Sequence, residues 1–222
     1  MAVRGIELRG NGGQLGLHLV ERAAMTEAAG PRRLPMADAE VWYYPAFLSR
    51  EASDALFADL LANAPWSQER IRLYGKVMDV PRETAWYGDR ARSYSYSGIT
   101  ATAHAWSPSL LEVKSRVEAV SGVSFNGVLL NLYRDGRDSV AWHSDDEREL
   151  GPNPIIGSLS LGETRKFEFR HKFDPGLRHH VWLSHGDYLI MKGATQSFWS
   201  HQIPKENRPC GKRINLTFRV IC

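Results

Sequence analysis

A chain of 222 residues, 43% hydrophobic and 24% charged, is large enough to bury the core of one sizeable soluble domain. Its apolar runs are only a few residues long, which excludes a spanning helix, and the opening MAVRGIELRGNGGQ lacks the apolar stretch of a secretory signal. Two cysteines, Cys210 and Cys222, exclude a disulfide framework and favour a reducing compartment, cytoplasmic in a bacterium or nuclear in a eukaryote.

Residues 1–38 are rich in Gly, Ala and Arg without sustained periodicity and read as a partly ordered extension. VWYYPAF, from Val41, predicts a short strand. LSREASDALFADLLANAPW predicts a helix with Ser49 as N-cap, an apolar stripe of Leu56, Leu60 and Leu61, and a stop at Pro65. IRLYGKVMDVPR predicts a hairpin turning near Gly75 and Lys76. SPSLLEVKSRVEAVSG predicts a second helix, with Ser107 at the N-cap, Pro108 in the first turn and Gly122 just past the end.

After Gly122 the texture changes to short strands punctuated by turn residues. VSFNGVLLNLY, SVAWHS, IIGSLSLG, RKFEFRH, VWLSHGDYLIMKG, SFWSHQIP and RINLTFRVI follow one another as in a sandwich or barrel. The expectation is a mainly β fold with helices packed on one side, divided into residues 1–38, 39–125 and 126–222. In RINLTFRVI, Ile214, Leu216, Phe218 and Val220 share one face, and Arg213, Asn215, Thr217 and Arg219 share the other. That polar face either meets water or lines an internal ligand cavity. Asn131 and Tyr133, in LLNLY, likewise share a face.

Residues 141–150, AWHSDDEREL, carry the first chemical signal. A histidine and a carboxylate at i and i+2 of an extended segment point to the same side, so His143 and Asp145 can reach one ion. A further histidine would complete a 2-His-1-carboxylate triad, which leaves open positions and suits non-haem Fe(II), although Zn²⁺ accepts similar ligands. His171, His179, His180, His185 and His201 are the candidates. His201 is favoured because Arg213 and Arg219 follow it on one face of the next strand, and arginine is the natural bidentate partner of a carboxylate co-substrate.

With these residues assembled, the chain resembles the AlkB family of Fe(II)/2-oxoglutarate-dependent dioxygenases, and most of all its double-stranded-DNA repair branch. The resemblance runs from Val41 to Val220 and rests on VPRETAWYGD, YSYSG, NLYRDGRDSVAWHSDDEREL, RKFEFRHK and RINLTFR. It implies a double-stranded β-helix (jelly-roll) core over residues 126–222 and a nucleotide-recognition lid within 39–125. It implies that His143, Asp145 and His201 hold Fe(II), and that Asn131, Tyr133, Arg213, Thr217 and Arg219 hold 2-oxoglutarate, with dioxygen as the second co-substrate. The implied reaction is oxidative demethylation of N-alkylated bases such as 1-methyladenine and 3-methylcytosine, releasing formaldehyde, succinate and CO₂.

A methyl group on a pairing edge is inaccessible inside a duplex, so the nucleotide must be flipped out. By the same resemblance Tyr94 and Tyr96 stack on the extruded base, opposite His143, and Tyr74 fills the hole left in the stack. Tyr96 stands where the duplex-repair relative has phenylalanine. Asp146 and Glu147 are expected to contact the base or its neighbours. Three basic runs, at residues 165–172, 178–180 and 205–213, lean toward a polyanion partner beyond the net charge of +3. The segment FDPGLRHH is shorter than the family's basic loop, leaving Arg165, Lys166, Arg170 and Lys172 for phosphates and weakening the expectation of strict duplex preference. The partners expected are therefore alkylated DNA, double- or single-stranded, or RNA, met by a monomer away from any membrane. A protein substrate, a non-catalytic nucleic-acid-binding module and a metal-dependent hydrolase are the remaining readings; the last would leave Asn131, Tyr133 and Arg219 without a purpose.

Overall fold

The computed structural model describes residues 30–222 except 74–75, 90–92 and 97–98, and it describes side chains outside 71–77 and 90–102. Most of the expected extension, residues 1–29, therefore lies outside the described residues. From 30 onward the chain is tied down. Strand β1 (Arg32–Arg33) pairs with β2 (Glu40–Tyr44), and Leu34 and Met36 are buried.

Helix α1 (Arg50–Asn63) begins where the sequence predicts. The Ser49 hydroxyl accepts the Ala52 N–H at 3.2 Å, and Leu56 and Leu60 are buried. The helix stops one residue before the Ala64–Pro65 pair, because a residue preceding proline is driven to extended backbone. In helix α2 (Pro108–Ser121) the Ser107 hydroxyl caps the Leu110 N–H. Gly122 adopts φ 72°, a left-handed exit that glycine allows at little cost.

Between the helices, β3 (Arg70–Leu73) and β4 (Lys76–Asp79) form the expected hairpin. Leu73 pairs with Lys76, so Lys76 belongs to the strand rather than the turn. Strand β5 (Glu83–Gly88) follows, then a second hairpin of β6 (Ser93–Tyr96) and β7 (Ile99–Thr102).

The strands that follow are β8 (Gly127–Tyr133), β9 (Val140–His143), β10 (Ile156–Gly162), β11 (Arg165–His171), β12 (Arg178–Leu183), β13 (Tyr188–Lys192), β14 (Trp199–Ile203) and β15 (Arg213–Arg219). Two expected strands are corrected. VWLSHGDYLIMKG is not continuous: it breaks at Ser184–Asp187, where Gly186 takes φ 85° and the Asp187 carboxylate accepts the Ser184 and Ala46 N–H groups and the Tyr43 hydroxyl. SFWSHQIP starts in a one-turn helix, α3 (Thr195–Phe198), where the Thr195 hydroxyl donates to the Lys192 carbonyl and accepts the Glu40 N–H.

Among the described residues the larger sheet has the order β1-β2-β13-β10-β15-β8-β5, and the smaller β12-β11-β14-β9; both are antiparallel. On the larger sheet, Leu130, Leu159, Ile190, Ile214, Leu216 and Phe218 pack against Leu56, Leu60, Leu110, Val113 and Val117 of the two helices. The opposite face, with Leu129, Ile156 and Met191, meets Phe167, Phe169, Val181 and Leu183 of the smaller sheet. Burying one side of each strand against helices forces the alternate side chains into the space between the sheets. That space is the site.

The close approach of β10 to β13 leaves no room for a side chain at Gly157, where an added Cβ would lie 2.1 Å from the Tyr188 hydroxyl. Tyr188 cannot yield easily, being fully buried and hydrogen-bonded to Ser121. Gly157→Ala is expected to destabilise the fold by at least about 1–3 kcal/mol, read from the urea midpoint at unchanged slope.

Candidate active site

A cavity of about 450 Å³ lies between the sheets, walled by residues of β8, β9, β10, β14 and β15 and by Arg82 at the foot of the β3–β4 hairpin. Register explains its polar floor. Arg213 pairs with Tyr133, Asn215 with Asn131, and Thr217 with Leu129, so alternate positions of two neighbouring strands face inward together. All seven residues of β15 are buried. Its polar face therefore lines the cavity rather than meeting water.

At one end stand His143, Asp145 and His201, whose candidate ligand atoms all lie within 4.8 Å of one another. His201 pairs with His143 across β14 and β9, and the two rings lie 4.2 Å apart. Phe167 stacks on the His201 ring at 5.1 Å and fixes its plane. His143 Nδ1 donates to the Ala141 carbonyl at 2.8 Å, which leaves Nε2 carrying a lone pair. One edge of His143 is exposed, yet the protein packed around the ring, and then the neighbouring His201, hold its pKa down to about 4. It is neutral near pH 7, the form a metal needs. Burial would raise the Asp145 carboxyl, but the Arg219 guanidinium and then His201 outweigh it and hold it well below the usual carboxylate range. Two imidazoles and one ionised carboxylate fit an octahedral divalent ion with open positions.

The other end of the β15 polar face is cationic. Arg213, 1% exposed, donates from Nη2 to Ser160 at 2.9 Å, while its Nε and Nη1 find no hydrogen-bond partner among the described residues. Burial lowers its pKa to about 10, with Tyr133 beside it opposing that effect, so the guanidinium stays charged. A buried cation that lines a cavity and keeps unmatched donors calls for an anion. Arg219 is not at that end. It contacts Asp145 directly, next to the triad. Thr217 donates to Asn215, and Asn131 accepts from Arg82 Nε at 2.8 Å.

The residues expected to meet a base divide. Glu147 lines the cavity, and its Oε2 is buried without a hydrogen-bond partner among the described residues. Burial raises its pKa; Arg219 opposes this and Asp145 adds to it. Asp146 stays outside the wall, exposed and paired with Lys172 at 3.0 Å. Tyr94 and Tyr96 sit on β6, their side chains outside the described residues, as is Tyr74 entirely.

One residue expected to serve phosphates does not, and a second already has partners. Arg165 is fully buried, its guanidinium donating to the carbonyls of Asp138 and Pro204 and lying 5.5 Å from the Tyr133 ring. Lys172 is spent on Asp146 and on the Gln196 carbonyl. Alternation hides this: Arg165 shares the inward face with Phe167 and Phe169. Of the other histidines considered as ligands, His171 accepts the Asp174 N–H and His185 the Gly162 N–H. His179 and His180 lie on β12, at the far edge of the smaller sheet from β9. Sequence reasoning missed Arg82, Phe167 and Gln196. The period-two pattern of RKFEFRH could have found Phe167, but nothing local marks the other two.

The pattern of the 2OG-Fe(II) oxygenase superfamily matches residues 40–219. Alpha-ketoglutarate-dependent dioxygenase alkB homolog 3 of Bos taurus is 43% identical over 195 residues, covering 84% of this chain and 68% of that protein. DNA oxidative demethylase ALKBH2 of Mus musculus is 38% identical over 188 residues, covering 80% of this chain and 79% of its own. Among solved structures, OsALKBH1 superimposes with a TM-score of 0.58 at 17% identity over 86% of this chain and 99% of that one. A Pseudomonas putida prolyl-4-hydroxylase gives 0.54 at 14%, over 82% and 93%. At those identities the two structures speak for the fold alone, mainly β with two antiparallel sheets. Sequence similarity and the His-Asp-His group carry the rest: the chain belongs to the AlkB family of the 2OG-Fe(II) oxygenases and is an Fe(II)- and 2-oxoglutarate-dependent dioxygenase.

Proposed function

We propose that the protein is an oxidative demethylase of N-alkylated bases in nucleic acid, 1-methyladenine and 3-methylcytosine among them, acting on a nucleotide flipped out of its strand. The observation that supports this most is that one cavity is lined by the triad, by Arg213 with its unmatched donors and by Glu147 with its orphan oxygen. On this reading the two sheets are the family's double-stranded β-helix, and the β3–β4 and β6–β7 hairpins with Tyr74, Tyr94 and Tyr96 form its nucleotide-recognition lid.

His143, Asp145 and His201 would hold Fe(II). Arg213 and Tyr133 would receive the distal carboxylate of 2-oxoglutarate, while Asn131, Thr217 and Arg219 bound its inner end. When bound, the metal and the 2-oxo acid supply the oxidising power. The protein's part is placement. Glu147, held toward its protonated form by burial, offers its unsatisfied oxygen to the polar edge of the base. Arg82 joins the lid to the floor through Asn131, so a base entering under the hairpin and a 2-oxoglutarate below it share one wall. Phe167 and Met191 line the wall with apolar surface and keep bulk water from the methyl group.

Single-stranded substrate is favoured by the β11–β12 connection. Residues 172–177 offer one basic side chain, Lys172, and it is already engaged. The test compares matched methylated oligonucleotides, single- and double-stranded, as DNA and as RNA. Turnover at least about tenfold faster on single strands is expected. Equal or faster turnover on the duplex would overturn the strand preference, and loss of methyl from none of them would overturn the substrate assignment.

A further inference from the structure

Beyond its strand, the loop that carries Asp145 is held by side chains, and one of them does not touch the cavity. Strand β9 ends at His143, and Asp145 follows in irregular backbone. Its N–H, buried, is accepted by Gln196 Oε1 at 2.9 Å. Gln196 is 1% exposed, lies on α3, and precedes His201 by five residues on the same run of chain. Its orientation is settled by chemistry. Nε2 faces the Met191 sulfur at 3.4 Å, a weak acceptor, and turning the amide over would set two donors against each other at Asp145. The carbonyl of Gln196 meanwhile receives Lys172 Nζ at 2.7 Å, and the same ammonium pairs with Asp146. Ser144 completes the seam by donating to the Trp199 carbonyl at 3.0 Å. Residues 144–146 are thus stitched one by one to the segment leading into His201.

We propose that Gln196 is a positioning residue for the metal carboxylate: its amide fixes the Asp145 peptide, and through it the direction of the carboxylate toward His143 and His201. Arg219 fixes the carboxylate from the other side, but a side-chain contact alone does not fix the peptide that carries it. Without the amide acceptor, the buried N–H of Asp145 has to turn toward water, and the carboxylate turns with it.

The test is Mn(II) affinity, measured by electron paramagnetic resonance on the full chain without oxygen or nucleic acid. Gln196→Met keeps the volume and removes the acceptor; a loss of about ten- to a hundredfold is expected, the range for groups that orient a ligand. Gln196→Glu keeps an acceptor and is expected to stay within about threefold of wild type. Wild-type Mn(II) affinity in Gln196→Met, even with a lowered Tm, would reduce the residue to a structural role and overturn the proposal; so would an equal loss in Gln196→Glu. If Gln196→Met does not fold, amide exchange of the wild-type protein decides. Asp145 N–H protected against exchange in the metal-free state sustains the proposal, and fast exchange overturns it.

Discussion

Asp145→Ala is expected to lose both metal and turnover and, in the metal-free state, to lower stability by about 3–5 kcal/mol. The carboxylate is 2% exposed and touches the guanidinium of Arg219, itself 5% exposed. Deleting one partner leaves the other charge buried with less compensation, which costs far more than a surface pair would. The pH dependence follows from the depressed carboxyl. A carboxylate held below its unfolded value contributes stability in full above about pH 4, and that contribution declines as the pH falls further. The gap between wild type and variant should therefore be complete at pH 7 and narrow below pH 4. Urea denaturation of chelator-treated protein at both pH values checks this, with metal content measured separately because bound metal stabilises the native state by mass action.

Arg213→Met is expected to behave oppositely. In the ligand-free protein Arg213 is a buried cation whose Nε and Nη1 have no hydrogen-bond partner among the described residues, with Arg165 nearby. Replacing such a charge with an apolar chain of similar length is expected to leave stability unchanged or raise it. Binding of 2-oxoglutarate should suffer heavily. Hydrogen bonds to a charged group contribute about 1.5–3 kcal/mol each, so losing a bidentate pair raises Kd by at least about a hundredfold. Calorimetric titration of 2-oxoglutarate into Mn(II)-loaded protein, beside a urea melt of the free protein, reads both effects. Lower stability together with undiminished affinity would remove Arg213 from the co-substrate site.

The contrast between these arginines marks how far the sequence could be read. Alternation in RINLTFR put Arg213 and Arg219 on one face, and the i, i+2 spacing put His143 beside Asp145; both are local periodicities of a strand. Helix ends were equally legible at Ser49 and Ser107, since a capping hydroxyl acts within three residues. Spacing could not say that Arg219 turns to Asp145 while Arg213 keeps free donors, because that depends on where a loop 74 residues earlier in the chain comes to rest. Arg165 looked like a surface cation, and the exposed Lys172 like an unpaired one, for the same reason. Their partners, Asp138, Pro204 and Gln196, lie 24 to 39 residues away. The one-turn helix α3 is not legible in the strand pattern of SFWSHQIP, and the contact Thr195 makes there with Glu40 spans 155 residues.

The most direct test of the account is the stoichiometry of one reaction: a single-stranded oligonucleotide bearing 1-methyladenine, incubated with the protein, Fe(II), ascorbate and 2-oxoglutarate, with succinate, formaldehyde and oligonucleotide mass measured together. One succinate and one formaldehyde are expected for each methyl lost, and none of the three products when 2-oxoglutarate is withheld. Succinate formed while the methylated strand keeps its mass would contradict that expectation.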